Sequence, residues 1–106
     1  MQTSKSYMDA ANAAVPRISA AEAIARHANT AAVFVDVRDS AAIAATGTIK
    51  GAQLIPRGMH EFMADPATAA HNKALTKDAE VYLVCAAGGQ AALAGKTLLD
   101  MGYTNV

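Results

Sequence analysis

The sequence predicts an α/β domain of three layers, with helices on both faces of a central, mostly parallel sheet. Two short apolar runs, residues 31–37 and 81–85, are rich in β-branched residues and do not alternate polar with apolar. Such runs suit strands covered on both faces. Segments with helical spacing and helix caps fill the gaps between them. At 106 residues, with no long linker, low-complexity tail or repeat, the chain 1–106 reads as one domain.

The elements follow in order. Residues 5–14 are expected to form a first helix. Ser19 followed by Glu22 is a capping-box pattern that opens a helix to about His27. The run 31–37 is the first strand. Ser40 is expected to cap a helix over 41–45, which Gly47 ends. Residues 54–56 are a weaker strand candidate, closed by Pro56. Residues 57–71 read as a short helix broken at Pro66. The run 81–85 is the next strand. From Gln90, the spacing of Leu93, Lys96, Thr97 and Met101 predicts a helix that Gly102 stops. Asn105 and Val106 look like the start of another strand.

Composition bounds the function. Apolar residues make up 53% of the chain, but 27 of these 56 residues are alanine, so the core depends on a few Val, Ile, Leu and Met clusters. Net charge is zero, which leaves no electrostatic footprint for nucleic acid or an anionic membrane. A single cysteine excludes an internal disulfide and argues against a Cys-built zinc site. No apolar run is long enough to span a bilayer, and the polar N-terminus shows no secretory signal. The expectation is a soluble cytoplasmic domain.

Cys85 is the informative residue. It ends a strand, and Ala86, Ala87, Gly88, Gly89 and Gln90 follow before a helix begins. In open α/β sheets ligands bind at that edge. Small residues let backbone N–H groups converge on one point, where a helix N-terminus adds positive potential. That arrangement suits a thiolate, a persulfide or an oxyanion. The plainer alternative is a cysteine that only packs as a small hydrophobe. A phosphate-binding loop fits poorly, because the Gly88-Gly89 pair lacks that motif's spacing and lysine.

These residues resemble the single-domain rhodaneses, a family of sulfurtransferases. The resemblance is carried by Val35-Asp36-Val37-Arg38, by Gly47-Thr48-Ile49-Lys50-Gly51-Ala52, and by Leu54-Ile55-Pro56. It continues in the six-residue loop from Cys85 to Gln90, in Leu98, and in Met101-Gly102-Tyr103 with Asn105-Val106. The segment Arg57-Gly58-Met59-His60-Glu61-Phe62 resembles a bacterial subgroup. Together these cover roughly residues 16–106 in order.

The resemblance implies a rhodanese-like fold and sulfur transfer through a persulfide on Cys85, held by the loop amides of Ala86, Ala87, Gly88, Gly89 and Gln90. It implies a small anionic donor such as thiosulfate, or a protein persulfide, and cyanide or a thiol as acceptor. No metal or organic cofactor is needed. The related phosphatases carry arginine six places after the cysteine, where this chain has Ala91. A persulfide carrier or a binding module using the same cleft is the alternative to an enzyme. A Cys-dependent phosphatase or arsenate reductase would need a cation from outside the loop.

Four departures matter. Gln90 stands where family loops often carry a basic residue, so the loop is uncharged and thiosulfate binding is expected to be weak. Thr48 replaces a frequent His. Ala42 stands near a frequent Glu, so Arg38 needs Asp36 or Asp39 as its carboxylate. Asp36 and Arg38 are expected to brace the strand end. Arg57 is placed at the same sheet edge, either steering an anionic donor or simply exposed. His27, His60 and His71 are read as surface residues. Finally, the family continues past Val106 with the rest of a strand, a turn and a helix, roughly 15–20 residues by ordinary element lengths. A truncation, an omitted tail or a second copy of the chain covering the gap would each account for this.

Overall fold

The computed structural model describes residues 1–28, 31–85 and 89–106. Among the described residues, five α-helices and three strands follow the expected order. They are α1 (Ser4–Ala14), α2 (Ala20–His27), β1 (Val33–Asp36), α3 (Ser40–Thr46), β2 (Gln53–Leu54), α4 (His60–Met63), β3 (Val81–Val84) and α5 (Gly89–Asp100). A 3-10 turn, Arg57–Met59, leads into α4.

Helix starts follow local hydrogen bonding. The complete capping box lies at α1, where the Ser6 N–H donates to Thr3 Oγ1 at 3.0 Å and the Thr3 N–H donates to Ser6 Oγ at 2.7 Å. At α2, Ser19 Oγ accepts the Glu22 N–H at 3.1 Å, but the Glu22 carboxylate lies 3.6 Å from Arg26 instead. At α3 the cap position falls on Asp39, one residue before the expected Ser40. Gly47 ends α3 with φ of 75°, a conformation that favours glycine.

The sheet has the order β2-β1-β3, and both pairings are parallel. Val33, Phe34, Val35 and Asp36 lie beside Val81, Tyr82, Leu83 and Val84. Strand β2 starts one residue earlier than expected. Its pairing continues past the strand, because the Ile55 N–H donates to Asp36 O and the Arg57 N–H to Val37 O, both at 3.1 Å. Pro56 has no N–H to add between them.

Side-chain alternation divides the sheet into two faces. Val35, Val81 and Leu83 turn to one face and join the core with Ile55, Leu98 and Tyr103. Helix α5 lies on this face, and α1 packs against α5. Phe34 turns to the other face, stacked on Tyr82 at 4.9 Å and met edge-on by His27 of α2 at 5.2 Å. Helices therefore cover both faces, as the unalternating strands predict.

The alanine-rich composition has a packing consequence. Ala11, Ala64, Ala92 and Ala94 are buried, and so is Gly95. A Cβ on Gly95 would stand 2.9 Å from Val15 Cγ1, so α1 reaches α5 through the space that glycine leaves. The expected helix over 57–71 is cut into the 3-10 turn and one turn of α4. The segment after α4 is pinned by Tyr103, whose hydroxyl lies 2.9 Å from Ala64 O and 3.2 Å from Leu75 O. The Val81 N–H donates to Asn105 O at 2.9 Å, so the chain begins to pair along the outer edge of β3.

Candidate active site

The carboxyl ends of the three parallel strands converge on one edge of the sheet. Val37 follows β1, Ile55 follows β2 and Cys85 follows β3. The Val37 N–H donates to Val84 O at 3.0 Å, and Val37 O accepts the Arg57 N–H. Parallel register brings Arg38, Arg57 and Cys85, distant in sequence, to this edge.

Cys85 is half-buried, with its sulfur in the first turn of α5. The Ala91 N–H donates to Cys85 Sγ at 3.4 Å. Ala91 is the third residue of α5, so its amide is one of those a helix cannot satisfy internally. Cys85 thus occupies the place of a capping acceptor at the positive end of a 12-residue helix. Among the described residues, the Ala91 N–H is the donor on the sulfur, one residue past the loop amides up to Gln90 that the sequence reading named. The spacing of six residues was its signal.

Of the loop, Gly89 and Gln90 open α5, with Gln90 exposed. Ala86, Ala87 and Gly88 lie outside the described residues. A cleft of about 590 Å³ runs from Cys85 and Ala91 along β3, past Val84 and Tyr82, to Arg26 and Val106.

Asp36 is buried, and it is the carboxylate that Arg38 requires. Its oxygens accept Arg38 Nη2–H at 2.8 Å, Nε–H at 3.0 Å and the Arg38 backbone N–H at 3.0 Å. Thr48 Oγ1–H, at the position where the resemblance puts a frequent His, adds a bond at 2.7 Å. Hydrogen bonds from Arg38 hold the Asp36 carboxyl down at about 2, against the opposing effect of burial, with Thr48 assisting. Arg38 also donates from Nη1 to Thr46 Oγ1 at 2.7 Å and from Nη2 to Gly47 O at 2.8 Å. Thr46, which the sequence reading missed, and Gly47 supply acceptors near the place of the absent Glu. Asp36 first, and the charge of Cys85 after it, hold Arg38 protonated beyond the ordinary arginine value.

Arg57 is committed elsewhere. Its guanidinium pairs with Glu61 at 3.0 Å and donates to Thr97 Oγ1 at 2.9 Å. Thr97 lies about 10 Å down α5 from Gln90 by helical rise. The Arg57 pair also lowers the Glu61 carboxyl below its ordinary value.

His60 corrects the surface reading of the histidines, because it is fully buried. Its Nε2 lies 2.8 Å from Ile55 O, which makes Nε2 the protonated nitrogen. Nδ1 is buried without a partner. Burial pushes the imidazole below its ordinary value and favours the neutral form. His27 is exposed, with Nε2 2.8 Å from Lys50 O. His71 is half-buried, with Nε2 3.1 Å from Leu75 O.

The molecule is thus a parallel α/β sheet with a cysteine at a strand end, its sulfur accepting an N–H from the first turn of the next helix. A profile of the rhodanese-like domain matches residues 19–106, and the chain belongs to that family. Among curated proteins nothing matches. Among solved structures, a protein from Rhodopseudomonas palustris is 36% identical, with a TM-score of 0.94 over 99% of this chain and 81% of that one. It is described as a protein of unknown function and possible tyrosine phosphatase. Among the described residues, no helix is long and apolar enough to cross a membrane.

Proposed function

We propose that the protein is a sulfurtransferase working through a persulfide on Cys85. The observation that carries the reading is the Ala91 N–H on Cys85 Sγ at 3.4 Å. A donor aimed at the sulfur from a helix N-terminus is placed to hydrogen-bond the sulfur through the transfer. The Cys85 thiolate attacks the outer sulfur of a donor such as thiosulfate. The donor's S–S bond breaks, and sulfite leaves with the electron pair. The persulfide anion then sits at the first turn of α5, within reach of the Ala91 N–H. Cyanide or a thiol removes the outer sulfur and restores the thiolate. Sulfur and electrons balance without a metal or cofactor.

The uncharged loop favours weak turnover with thiosulfate, and a protein persulfide suits the site as an alternative donor. Arg57 can steer a donor only by giving up Glu61 or Thr97. A cytoplasmic location goes with this reading, since a reducing compartment keeps a thiol reduced.

The name of the solved relative favours a second reading, phosphate-ester hydrolysis. Ala91 opposes it, because the position where the phosphatases carry arginine offers only a backbone N–H. Intact-mass analysis after thiosulfate treatment tests the main reading. One added sulfur, lost on cyanide and absent from Cys85→Ser, is expected. No added sulfur, with hydrolysis of an aryl phosphate, would replace sulfur transfer with phosphatase chemistry. No added sulfur and no hydrolysis, with a bound protein partner, would leave a binding module.

A further inference from the structure

Resting on the reading of Cys85 as the reactive sulfur, we infer that the site takes an organic sulfur compound with a carboxylate at the far end of a flexible apolar chain. Arg17 is the residue that reads the carboxylate. As an acceptor, such a compound attacks the outer sulfur of the Cys85 persulfide through its thiolate. A new S–S bond forms, the old one breaks, and the electron pair returns to Cys85.

The cleft that Cys85 lines is larger than an inorganic donor needs. At about 590 Å³ it falls in the range of pockets for organic ligands, and an ion as small as thiosulfate would fill little of it. It carries Leu83 and Ala91 from the α5 face of the sheet and Phe34 and Tyr82 from the α2 face, so it follows the outer edge of β3. The connection between α1 and α2 lines it as well, with Val15, Pro16 and Ile18 supplying apolar surface and Arg17 a charge.

The charged side chains on this cleft are Arg17, Arg26 and Glu80. Arg26 and Glu80 answer each other. Arg26 donates to Tyr82 Oη at 2.9 Å and lies 3.9 Å from Glu80 and 3.6 Å from Glu22, while the Tyr82 hydroxyl donates to Glu80. Arg17 is exposed and, among the described residues, enters no hydrogen bond or ion pair. The cleft is left with one uncompensated positive charge, set in apolar surroundings.

The backbone under Arg17 is held on both sides. The Val15 N–H donates to Ala11 O at 2.9 Å, and Val15 packs where Gly95 lacks a Cβ. Ser19 Oγ is occupied by the Glu22 N–H, which fixes the start of α2. The guanidinium fork of Arg17 stays open, and an open fork matches a carboxylate with two parallel N–H bonds. A dianion would call for a second cation, and Arg26 is already engaged. A singly charged tail, an apolar chain and a sulfur at the other end therefore match what the cleft offers.

The test uses methanethiosulfonate reagents of increasing chain length, each made with a carboxylate end and with a hydroxyl end. The Cys85 thiolate attacks the reagent's thio sulfur, methanesulfinate leaves with the electron pair, and the chain stays on Cys85 as a mixed disulfide. This happens whether or not the protein transfers sulfur. The ratio of carboxylate to hydroxyl rates at each length cancels the intrinsic reactivity of Cys85. In the wild type that ratio is expected to rise by about fivefold from the shortest chains to one longer length, the effect of a unit-charge pair at contact in water-like surroundings. Arg17→Gln should remove the rise, and Arg17→Glu should turn it into a fall. A wild-type ratio that is flat with length, a rise that survives Arg17→Gln, or a loss confined to Arg26→Gln overturns the proposal. If the rise depends on Arg17 while thiosulfate adds no sulfur to Cys85, the sulfurtransferase reading fails and the assignment of Arg17 stands. If thiosulfate adds sulfur and the ratio is flat, the reverse holds.

Discussion

Asp36 and Arg38, two residues apart on one strand end, close on each other with Nη2 2.8 Å from Oδ2. The carboxylate is 1% exposed and the guanidinium side chain 16%. The pair ties the end of β1 to Thr46, Gly47 and Thr48, and so fixes the connection into β2.

Stability is expected to fall in acid through this pair. The Asp36 carboxyl stands at about 2, below its ordinary 3.8, so the unfolded chain binds the proton more readily. The contribution is full above pH 3.8 and is lost as pH falls through about 2. Asp36→Asn should cost about 2 kcal/mol at neutral pH, the scale for a hydrogen bond to a charged group. It should also flatten this acid limb. Urea midpoints of both proteins across that range check the prediction.

His60 should add a second, milder limb. Its folded value is lowered by burial, so the unfolded chain takes up the proton first. Stability is complete above the ordinary 6.5 and declines as pH falls below it. His60→Gln can keep a donor toward Ile55 O without a titrating ring. Thermal midpoints of His60→Gln should lose the slope that the wild type shows between about pH 7 and about pH 5.

Gly95→Ala should destabilise by about 1 kcal/mol. The gain in helix propensity is about 1 kcal/mol, and overpacking costs about 1–3 kcal/mol. The new Cβ would meet Val15 Cγ1 at 2.9 Å and Cγ2 at 3.1 Å, and a β-branched side chain yields poorly. Adding Val15→Ala should relieve the clash, so in a double-mutant cycle the double mutant should be more stable than the sum of the two single changes predicts.

Gln90→Arg should raise kcat/KM for thiosulfate by about tenfold, because an exposed cation would then stand at the first turn of α5 beside the sulfur. The same charge sits at the wrong end of the helix and should cost about 0.5 kcal/mol of stability. Initial rates over a thiosulfate series, with a melting curve alongside, separate the two effects.

Much of the fold was legible because its signals are local. The unalternating runs at Val33–Asp36 and Val81–Val84 follow from cover on both faces. Ser19 and Gly47 mark helix ends through their own backbone chemistry. Local patterns failed where tertiary contacts decide. His60 looked like a surface residue and is buried against Ile55 O. The stretch after Arg57 looked helical, but mostly follows turns anchored by Tyr103.

The sequence by itself determined the alternation of strands and helices, the place of Cys85 between a strand and a helix, and the absence of charge in the loop after it. Those properties belong to neighbouring residues and survive without a fold. Only the tertiary structure decided that the Ala91 N–H lies on the sulfur, which carboxylate holds Arg38, and that Glu61 and Thr97 claim Arg57. Each of these is a distance set by parallel strand register and helix packing, and a single cysteine carries no such distance until the sheet has formed.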